Sequence, residues 1–287
     1  MDEGLYQAEA LERRLLLSSA VRTSGTLRIY GDVGVNNVIE VAFDTADKKN
    51  VIVVVNGVTT AIVAHDLKGV RIFGDTGNDT ITIDSTQATF DIQTSVFGGA
   101  GDDRVRCGDE RDYVEGNDGN DRISLGNGRN FGFGDLGDDI IDGGDQRDFI
   151  SGGGGADRIE GGEDRDQLQG DNGDDTIIGD TGDTNNDKDG SDLIFGGRGN
   201  DSIDGNGAKD VIFGGDGNDT INGNADHDEI FGQAGDDVID GGNDADTLWG
   251  GNGNDVITGG GHNGEVHAGE YKDINKFITA IKPNVLE

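Results

Sequence analysis

The chain is short of the residues that commonly staple, anchor or fill a domain. Its 287 residues include one cysteine, one proline, one methionine and one tryptophan. A lone Cys107 excludes an internal disulfide and reads as a free structural thiol. Only 22 lysines and arginines face 58 aspartates and glutamates, a net charge of −36. That excess repels nucleic acid and makes the compact chain repel itself. Hydrophobic residues make up 32% and aromatics 6%, so a conventional thick core is not expected. No run approaches the ~18 apolar residues of a membrane-spanning helix. The familiar catalytic signatures are missing as well. None of His65, His227, His262 and His267 stands in an H-E-x-x-H zinc site, and there is no G-x-S-x-G nucleophile elbow. A non-enzymatic role is the expectation.

What the chain has is glycine, 53 of them, and much of it is periodic. Between Gly98 and Thr258 runs a tandem array of nine-residue units such as GGGGADRIE (152–160), GGDGNDTIN (214–222) and GGNGNDVIT (250–258). An insertion at 179–186 separates nine units from eight. Position six is Asp in 16 of the 17 units, Asn130 being the exception, and position eight is Ile, Leu or Val in 16, Gly132 being the exception. Glycines at positions one, two and four predict a tight turn with positive φ. The three residues around the aliphatic predict a minimal strand whose side chains alternate in and out. Each unit is then half a coil, and coils stack about 4.8 Å apart, the spacing of strands in a sheet. Aspartates recurring every nine residues form two columns, one along each edge. Beside carbonyl-rich glycine turns they make oxygen cages suited to a hard cation such as Ca²⁺.

These residues carry a resemblance. The unit is similar to the GGxGxDxUx repeat of the repeats-in-toxin (haemolysin-type) calcium-binding family. The resemblance covers residues 98–258 and implies a secreted or cell-surface bacterial protein with an all-β fold. That fold is a right-handed parallel β-roll, a β-solenoid of nonapeptide half-coils that forms when calcium arrives.

An 18-residue period lies over the nine-residue one. In the units starting at 98, 116, 134, 152, 170, 196, 214, 232 and 250, position four is always glycine. In the alternate units it is Glu110, Gly128, Gln146, Asp164, Ala208, Asp226 and Asp244. There, position five is Arg111, Arg129, Arg147, Arg165, Lys209, His227 and Ala245. One edge is therefore glycine-rich; the other sets basic groups beside its aspartates. The first-edge metal candidates are Asp79, Asp103, Asp121, Asp139, Asp157, Asp175, Asp201, Asp219, Asp237 and Asp255. With them go Gly99, Gly101, Gly119, Gly137, Gly153, Gly155, Gly173, Gly197, Gly199, Gly215, Gly217, Gly235, Gly251 and Gly253. Roughly eight ions are expected there, one between successive turns. Asp112, Asp148, Asp166, Asp192, Asp210, Asp228 and Asp246 form the second, weaker set. Guanidinium groups, which match carboxylates bidentately, are expected to neutralise that set; the alternative is that Arg decorates a solvated turn and both edges bind metal.

Strands following the first edge carry outward polar residues such as Arg104, Arg122, Arg158 and Asp204. Those following the second carry aromatics, and Phe195, Phe213, Phe231 and Trp249, eighteen apart, predict a stacked ladder. Such a row suggests a covering segment or a glycan or protein partner; the alternative is a self-packed row half open to water.

Outside the array, residues 1–20 hold Leu11-Glu12-Arg13-Arg14-Leu15-Leu16-Leu17. This resembles the Leu-Glu-Pro-Arg-X-Leu-Leu motif near the start of some large bacterial surface proteins, with Arg13 in place of the proline, and implies export. Residues 21–97 read as an irregular β module capping the roll. It has strands at Thr26–Tyr30, Val38–Phe43, Val51–Val55, Val58–Val63, Val70–Phe73, Thr80–Asp84 and Phe90–Phe97, a hairpin turn at Asn56-Gly57, and a separate β-sandwich as the alternative. Its degenerate unit GDVGVNNVI (31–39) puts Asn36 at position six. The insertion, with Asp183, Asn185, Asp187 and Asp189, reads as a bulge on the second edge that could hold one more ion. In the tail, 259–287, Ile274, Phe277, Ile278 and Ile281 form a helix stripe that Pro283 ends, predicting a short C-terminal helix cap.

Overall fold

The computed structural model describes residues 19–23, 26–43, 50–63, 67–84, 93–181, 189–259 and 265–267. The described secondary structure is all strand and turn. Two 13-stranded sheets face each other across a narrow core. The first runs Ser19–Thr23, Thr26–Tyr30, Gly69–Thr76, Gln93–Ala100, Asp112–Asp118, Phe131–Leu136, Phe149–Gly154, Gln167–Asn172, Leu193–Arg198, Val211–Asp216, Glu229–Ala234, Thr247–Asn252 and Glu265–His267. The second runs from Val58–Val63 through Asn50–Val55, Val38–Phe43, Thr80–Asp84, Arg104–Arg106 and Arg122–Ser124. It continues with Ile140–Asp145, Arg158–Glu163, Thr176–Asp180, Ser202–Asn206, Thr220–Asn224 and Val238–Asp240 to Val256–Thr258. The chain alternates between the sheets, and each strand pairs in parallel with the one a full coil on, as in Phe131↔Phe149 and Ile123↔Ile141. This is a parallel β-roll. The insertion lengthens one coil only, because Gln167↔Leu193 and Thr176↔Ser202 both step by the same extra amount, so neither edge changes its identity. The proposed C-terminal helix, the 1–18 segment and residues 182–188, which include most of the insertion, lie outside the described residues.

The core is a double file of aliphatics. Val96, Val114, Ile150, Leu168, Ile194, Ile212, Ile230 and Leu248 line the first sheet; Val105, Ile123, Ile141, Ile159, Ile177, Ile203, Ile221 and Ile239 line the second. All are buried because position eight points inward on every coil. The one gap in the file, Gly132, is filled from the same coil: a Cβ built there would lie 2.9 Å from Cδ1 of Leu125, which is fully buried.

Strands from the 21–97 region are the first members of both sheets. Thr26–Tyr30 pairs in parallel with Gly69–Thr76, and Val38–Phe43 with Thr80–Asp84. Antiparallel strands then finish each sheet, Ser19–Thr23 on the first and the Asn50–Val55/Val58–Val63 hairpin on the second. The hairpin turns at Asn56 (φ 49°) and Gly57 (φ 79°), two left-handed residues as a two-residue hairpin requires. An edge left open in this direction would offer unpaired N–H and C=O groups to another chain.

Two expectations about the turn need correction. Strands of the first sheet run longer than three residues, because position one of the unit extends the strand and faces inward. Gly98, Gly116 and Gly134 are not in a positive-φ conformation; they are glycine for space, since a Cβ on each would fall 2.2–2.4 Å from the Oδ2 of Asp103, Asp121 or Asp139. The alternation at position four is also a backbone matter. On the first edge φ there is 127° at Gly101, 136° at Gly155 and 144° at Gly235, a region open only to glycine. On the second edge it is 74° at Gln146, 69° at Asp164, 63° at Ala208 and 68° at Asp244, the left-handed α region that short or polar L-residues tolerate.

Gly155→Ala is expected to cost more than the ~1–3 kcal/mol of backbone strain alone, since its Cβ would sit 2.1 Å from the Gly137 carbonyl oxygen. Gln146→Gly on the opposite edge is expected to change stability little. Thermal melts of the two variants under identical calcium check this; equal losses would contradict the φ explanation.

Candidate metal centre

The aspartate columns are real and continuous. On the first edge the N–H of Asp79, Asp103, Asp121, Asp139, Asp157, Asp175, Asp201, Asp219 and Asp237 each donates to Oδ1 of the aspartate one coil on, at 2.7–3.1 Å, ending at Asp255. On the second edge Asp112 donates to Asn130, Asn130 to Asp148, and so on through Asp166, Asp192, Asp210 and Asp228 to Asp246, at 2.7–3.0 Å. Oδ1 thus serves the backbone and locks coil to coil. The other oxygen, Oδ2, is buried without a hydrogen-bond partner at Asp79, Asp103, Asp121, Asp139, Asp157, Asp175, Asp201, Asp219 and Asp237. The same holds at Asp112, Asp148, Asp166, Asp192, Asp210, Asp228 and Asp246.

In most coils the free oxygen and a backbone carbonyl of the next coil border the same space. The space above Gly152 lies 2.3 Å from Asp157 Oδ2; that above Gly170 lies 2.3 Å from Asp175 Oδ2 and 2.6 Å from the Gly196 carbonyl. The second edge repeats this at Gly161, with Asp166 Oδ2 and the Gly179 carbonyl both at 2.6 Å. Carbonyls of positions two and four stack along the first edge as well: those of Asp135 and Gly137 lie 2.2 and 2.1 Å from where Cβ atoms on Gly153 and Gly155 would be. Among the described residues no three acidic, His or Cys side chains converge. The carboxylates come one per coil, so a cage must be completed by carbonyls. An all-oxygen set of that kind fits a hard divalent cation such as Ca²⁺.

Charge inside these turns is poorly solvated. Burial, opposed by the single N–H bond and reinforced by neighbouring carboxylates, pushes Asp103, Asp139, Asp175 and Asp219 up to about 7, and Asp121 and Asp157 to about 6. The second column is pushed further, Asp148 and Asp228 to about 8, Asp166 to about 9 and Asp210 to about 10, again chiefly by burial. Two of the position-five basic groups point to partners other than the column aspartates. Arg111 lies over the Phe131 ring, its guanidinium carbon 5.1 Å from the centroid, and Lys209 pairs with Glu229 at 2.8 Å. Arg165, Lys209 and His227 lower Asp192, Asp228 and Asp246 only through space. The reason is geometric: position six points into the turn, whereas position five sits on its outer side.

The position-five row is a feature that reading by charge missed. On the first edge Asn78, Asp102, Asn120, Asp138, Asp174, Asn200, Asn218 and Asp236 each accept, through Oδ1, the position-five N–H of the following coil at 2.7–3.1 Å. This second zipper runs opposite to the aspartate column. Arg and Lys have no acceptor to extend it on the second edge, where His227 Nδ1 alone among the described residues does so, toward Ala245. The Asp/Asn alternation at every other unit was the available signal. A second correction concerns the degenerate unit. Asn37, not Asn36, stands in the first column: Thr80 N–H donates to its carbonyl and its own N–H donates to Asp79 Oδ1. One extra residue in that turn shifts the frame.

The aromatic ladder is present, with centroid separations of 5.1 Å for Phe195–Phe213, 4.8 Å for Phe213–Phe231 and 4.4 Å for Phe231–Trp249, all stacked. Phe213 and Phe231 are each only 2% exposed. A further row, Tyr30–Phe73–Phe97–Tyr113–Phe133–Phe149, precedes it on the same sheet.

A two-sheet solenoid whose glycine turns aim carboxylates and carbonyls at one another is a metal-binding β-roll. The RTX calcium-binding nonapeptide repeat (4 copies) matches residues 71–82, 97–132, 126–159, 133–168, 151–184, 188–221, 213–248 and 240–270, more than half of the chain. The protein belongs to this family and is a calcium-binding repeat protein. No curated protein matches the chain.

The raised carboxyls set a pH dependence for the metal-free fold. Their folded values lie above the unfolded ~3.9, so the folded state binds more protons and its stability falls as pH rises between ~4 and the 6–10 range of the columns. In chelator the β signal in circular dichroism is expected to be stronger near pH 5 than near pH 8, and calcium affinity to weaken on acidification. Greater order at pH 8 than at pH 5 without metal would contradict this.

Proposed function

We propose that this is a non-enzymatic, extracellular calcium-binding module, structural or adhesive in role, whose roll closes when calcium binds. The observation that carries the reading is the double file of buried Oδ2 atoms without partners. An isolated buried carboxylate is costly unless it is neutralised or coordinated, and two stacked files need a counter-ion that fits between coils. On the first edge the ligands are the column aspartates with carbonyls of the position-two and position-four residues, Gly153 and Gly155 in one coil and Gly197 and Gly199 in another. About eight ions stack there. The second edge takes ions along Asp148, Asp166, Asp192, Asp210, Asp228 and Asp246, since its free oxygens match those of the first. The basic residues at position five then trim the surface charge rather than replace the metal.

Secretion accords with the typical setting of these repeats and with the energetics. Among the described residues no helix is long and apolar enough to cross a membrane. Weak sites of extracellular type gain on the order of 1 kcal/mol each at millimolar calcium, and coupling along a stack sums them. The same module could serve as the accessory part of a secreted hydrolase, which a longer reading frame with a catalytic region would favour. Glycan binding by the ladder is set aside, because Phe213 and Phe231 turn their faces to each other and are buried.

Calcium titration at neutral pH, followed by circular dichroism and small-angle scattering, tests the reading. A chain with little β structure in chelator that compacts cooperatively with calcium is expected. Full order in excess chelator would sink it, and Asp157→Asn, which keeps the amide contact but removes a charge, is expected to lower the number of ions bound.

A further inference from the structure

Two coils carry an amide where their neighbours carry a carboxylate, and both amides sit inside the oxygen cage. Asn37, 1% exposed, heads the first column. Its Oδ1 accepts from Asp32 N–H at 2.8 Å and Asn56 Nδ2 at 2.9 Å, which fixes the amide orientation. Its Nδ2 then faces four oxygens: the carbonyls of Asp32 at 3.2 Å, Val35 at 3.0 Å and Gly74 at 3.1 Å, and Asp79 Oδ1 at 2.9 Å. Carbonyls converging with a carboxylate on one point is the donor set expected around a cation; here the polarised NH₂ occupies it.

Asn130, also 1% exposed, repeats the arrangement in the second column. Its Oδ1 accepts from Asp112 N–H at 2.9 Å, as a column aspartate does, and its N–H donates to Asp148 Oδ1 at 2.7 Å, so the register passes through it unbroken. Its Nδ2 donates to the carbonyls of Gly126 and Gly128, each at 3.3 Å, the position-two and position-four oxygens of its own turn. Position one of this coil is Leu125 rather than glycine. Its buried side chain takes the volume that Gly132 vacates and stands where a position-one glycine leaves room beside Oδ2 in most other coils. Three departures from the repeat, Leu125, Asn130 and Gly132, thus fall in one unit and complement one another.

We propose that Asn37 and Asn130 are built-in replacements for calcium, one near the start of each column, and that the coils they close hold their register without metal. An amide hydrogen supplies the positive end that an ion supplies elsewhere, with no net charge to desolvate. Calcium-driven coiling of the acidic units therefore has a metal-independent template at its N-terminal side. The inference rests on the calcium reading for the other cages, but its own observables can be separated from it.

Hydrogen exchange of the wild-type chain in chelator at neutral pH is one test. The amides of Asn37, Thr80, Asp112, Asn130 and Phe149 are expected to be protected at least tenfold more than those of Asp157, Thr176, Asp219 and Val238; equal rates would overturn the proposal. Ion counting in calcium by native mass spectrometry is the other. Asn37→Asp is expected to bind one more ion than wild type and to lose its local protection in chelator, regaining it with calcium. N130D alone is expected to add none, because Leu125 blocks the cage, whereas L125G/N130D/G132I adds one. Unchanged counts in both N37D and the triple variant would overturn the proposal. Asn37→Ala guards against misfolding: it is expected to lose protection in chelator without regaining it in calcium, at an unchanged ion count, and protection like that of wild type would count against the lock. If the wild-type chain binds no calcium at all, the functional reading fails, while the chelator exchange pattern still decides the role of the two asparagines.

Discussion

The fold depends on how negative charge is held inside glycine turns. Apart from the coils of Asn37 and Asn130, the coils bring one carboxylate to each edge and point it inward, and beyond Asp112 one of its oxygens receives an N–H from the coil before. That bond gives the stack its register, yet it leaves the second oxygen buried among carbonyls. The core offers little to offset this, because a coil buries only one position-eight aliphatic on each sheet. On the function proposed above, cations bound between coils offset this charge, so that binding and folding are coupled as in other small folds whose metal sites do not exist in the unfolded chain.

The two edges solve the same problem with different backbones. On the first, position four lies at a φ that only glycine adopts, and position five carries Asp or Asn that form a second zipper of side-chain acceptors. On the second, position four lies in the left-handed α region at Gln146, Asp164, Ala208, Asp226 and Asp244, whereas Gly128 keeps a φ of 125°. Position five is then free to be basic, and an Arg or Lys there projects onto the surface. The sheet between the second edge and the first is the one that carries aromatics. Their stacking at the interstrand spacing joins Phe195 through Trp249 in one continuous row.

Much of this was legible in the residues themselves. The nine-residue period, the inward aliphatic, the outward aromatic row and the Asn56-Gly57 hairpin all follow from local rules of alternation and turn chemistry. The strands Thr26–Tyr30, Val38–Phe43, Val58–Val63 and Thr80–Asp84 have the boundaries that those rules predict. What misled was treating glycine as one thing. Gly98 is small because Asp103 Oδ2 needs the room, and Gly101 because φ demands it. Arginine misled in a similar way, since its place beside an aspartate in the chain does not say which side of the turn it projects from. Asn36 and Asn37 could not be told apart, because an extra turn residue is invisible until the neighbouring coil sets the register.

By itself, then, the sequence determined the repeat, the two columns and the oxygen chemistry, because each is a property of spacing and residue type within one or two units. The tertiary structure alone decided which carboxylate oxygen is left over, that both edges leave it over equally, and that Leu125, Asn130 and Gly132 compensate one another. Those facts concern atoms eighteen or more residues apart, or side chains sharing one volume, and they come into being only when coil is laid on coil.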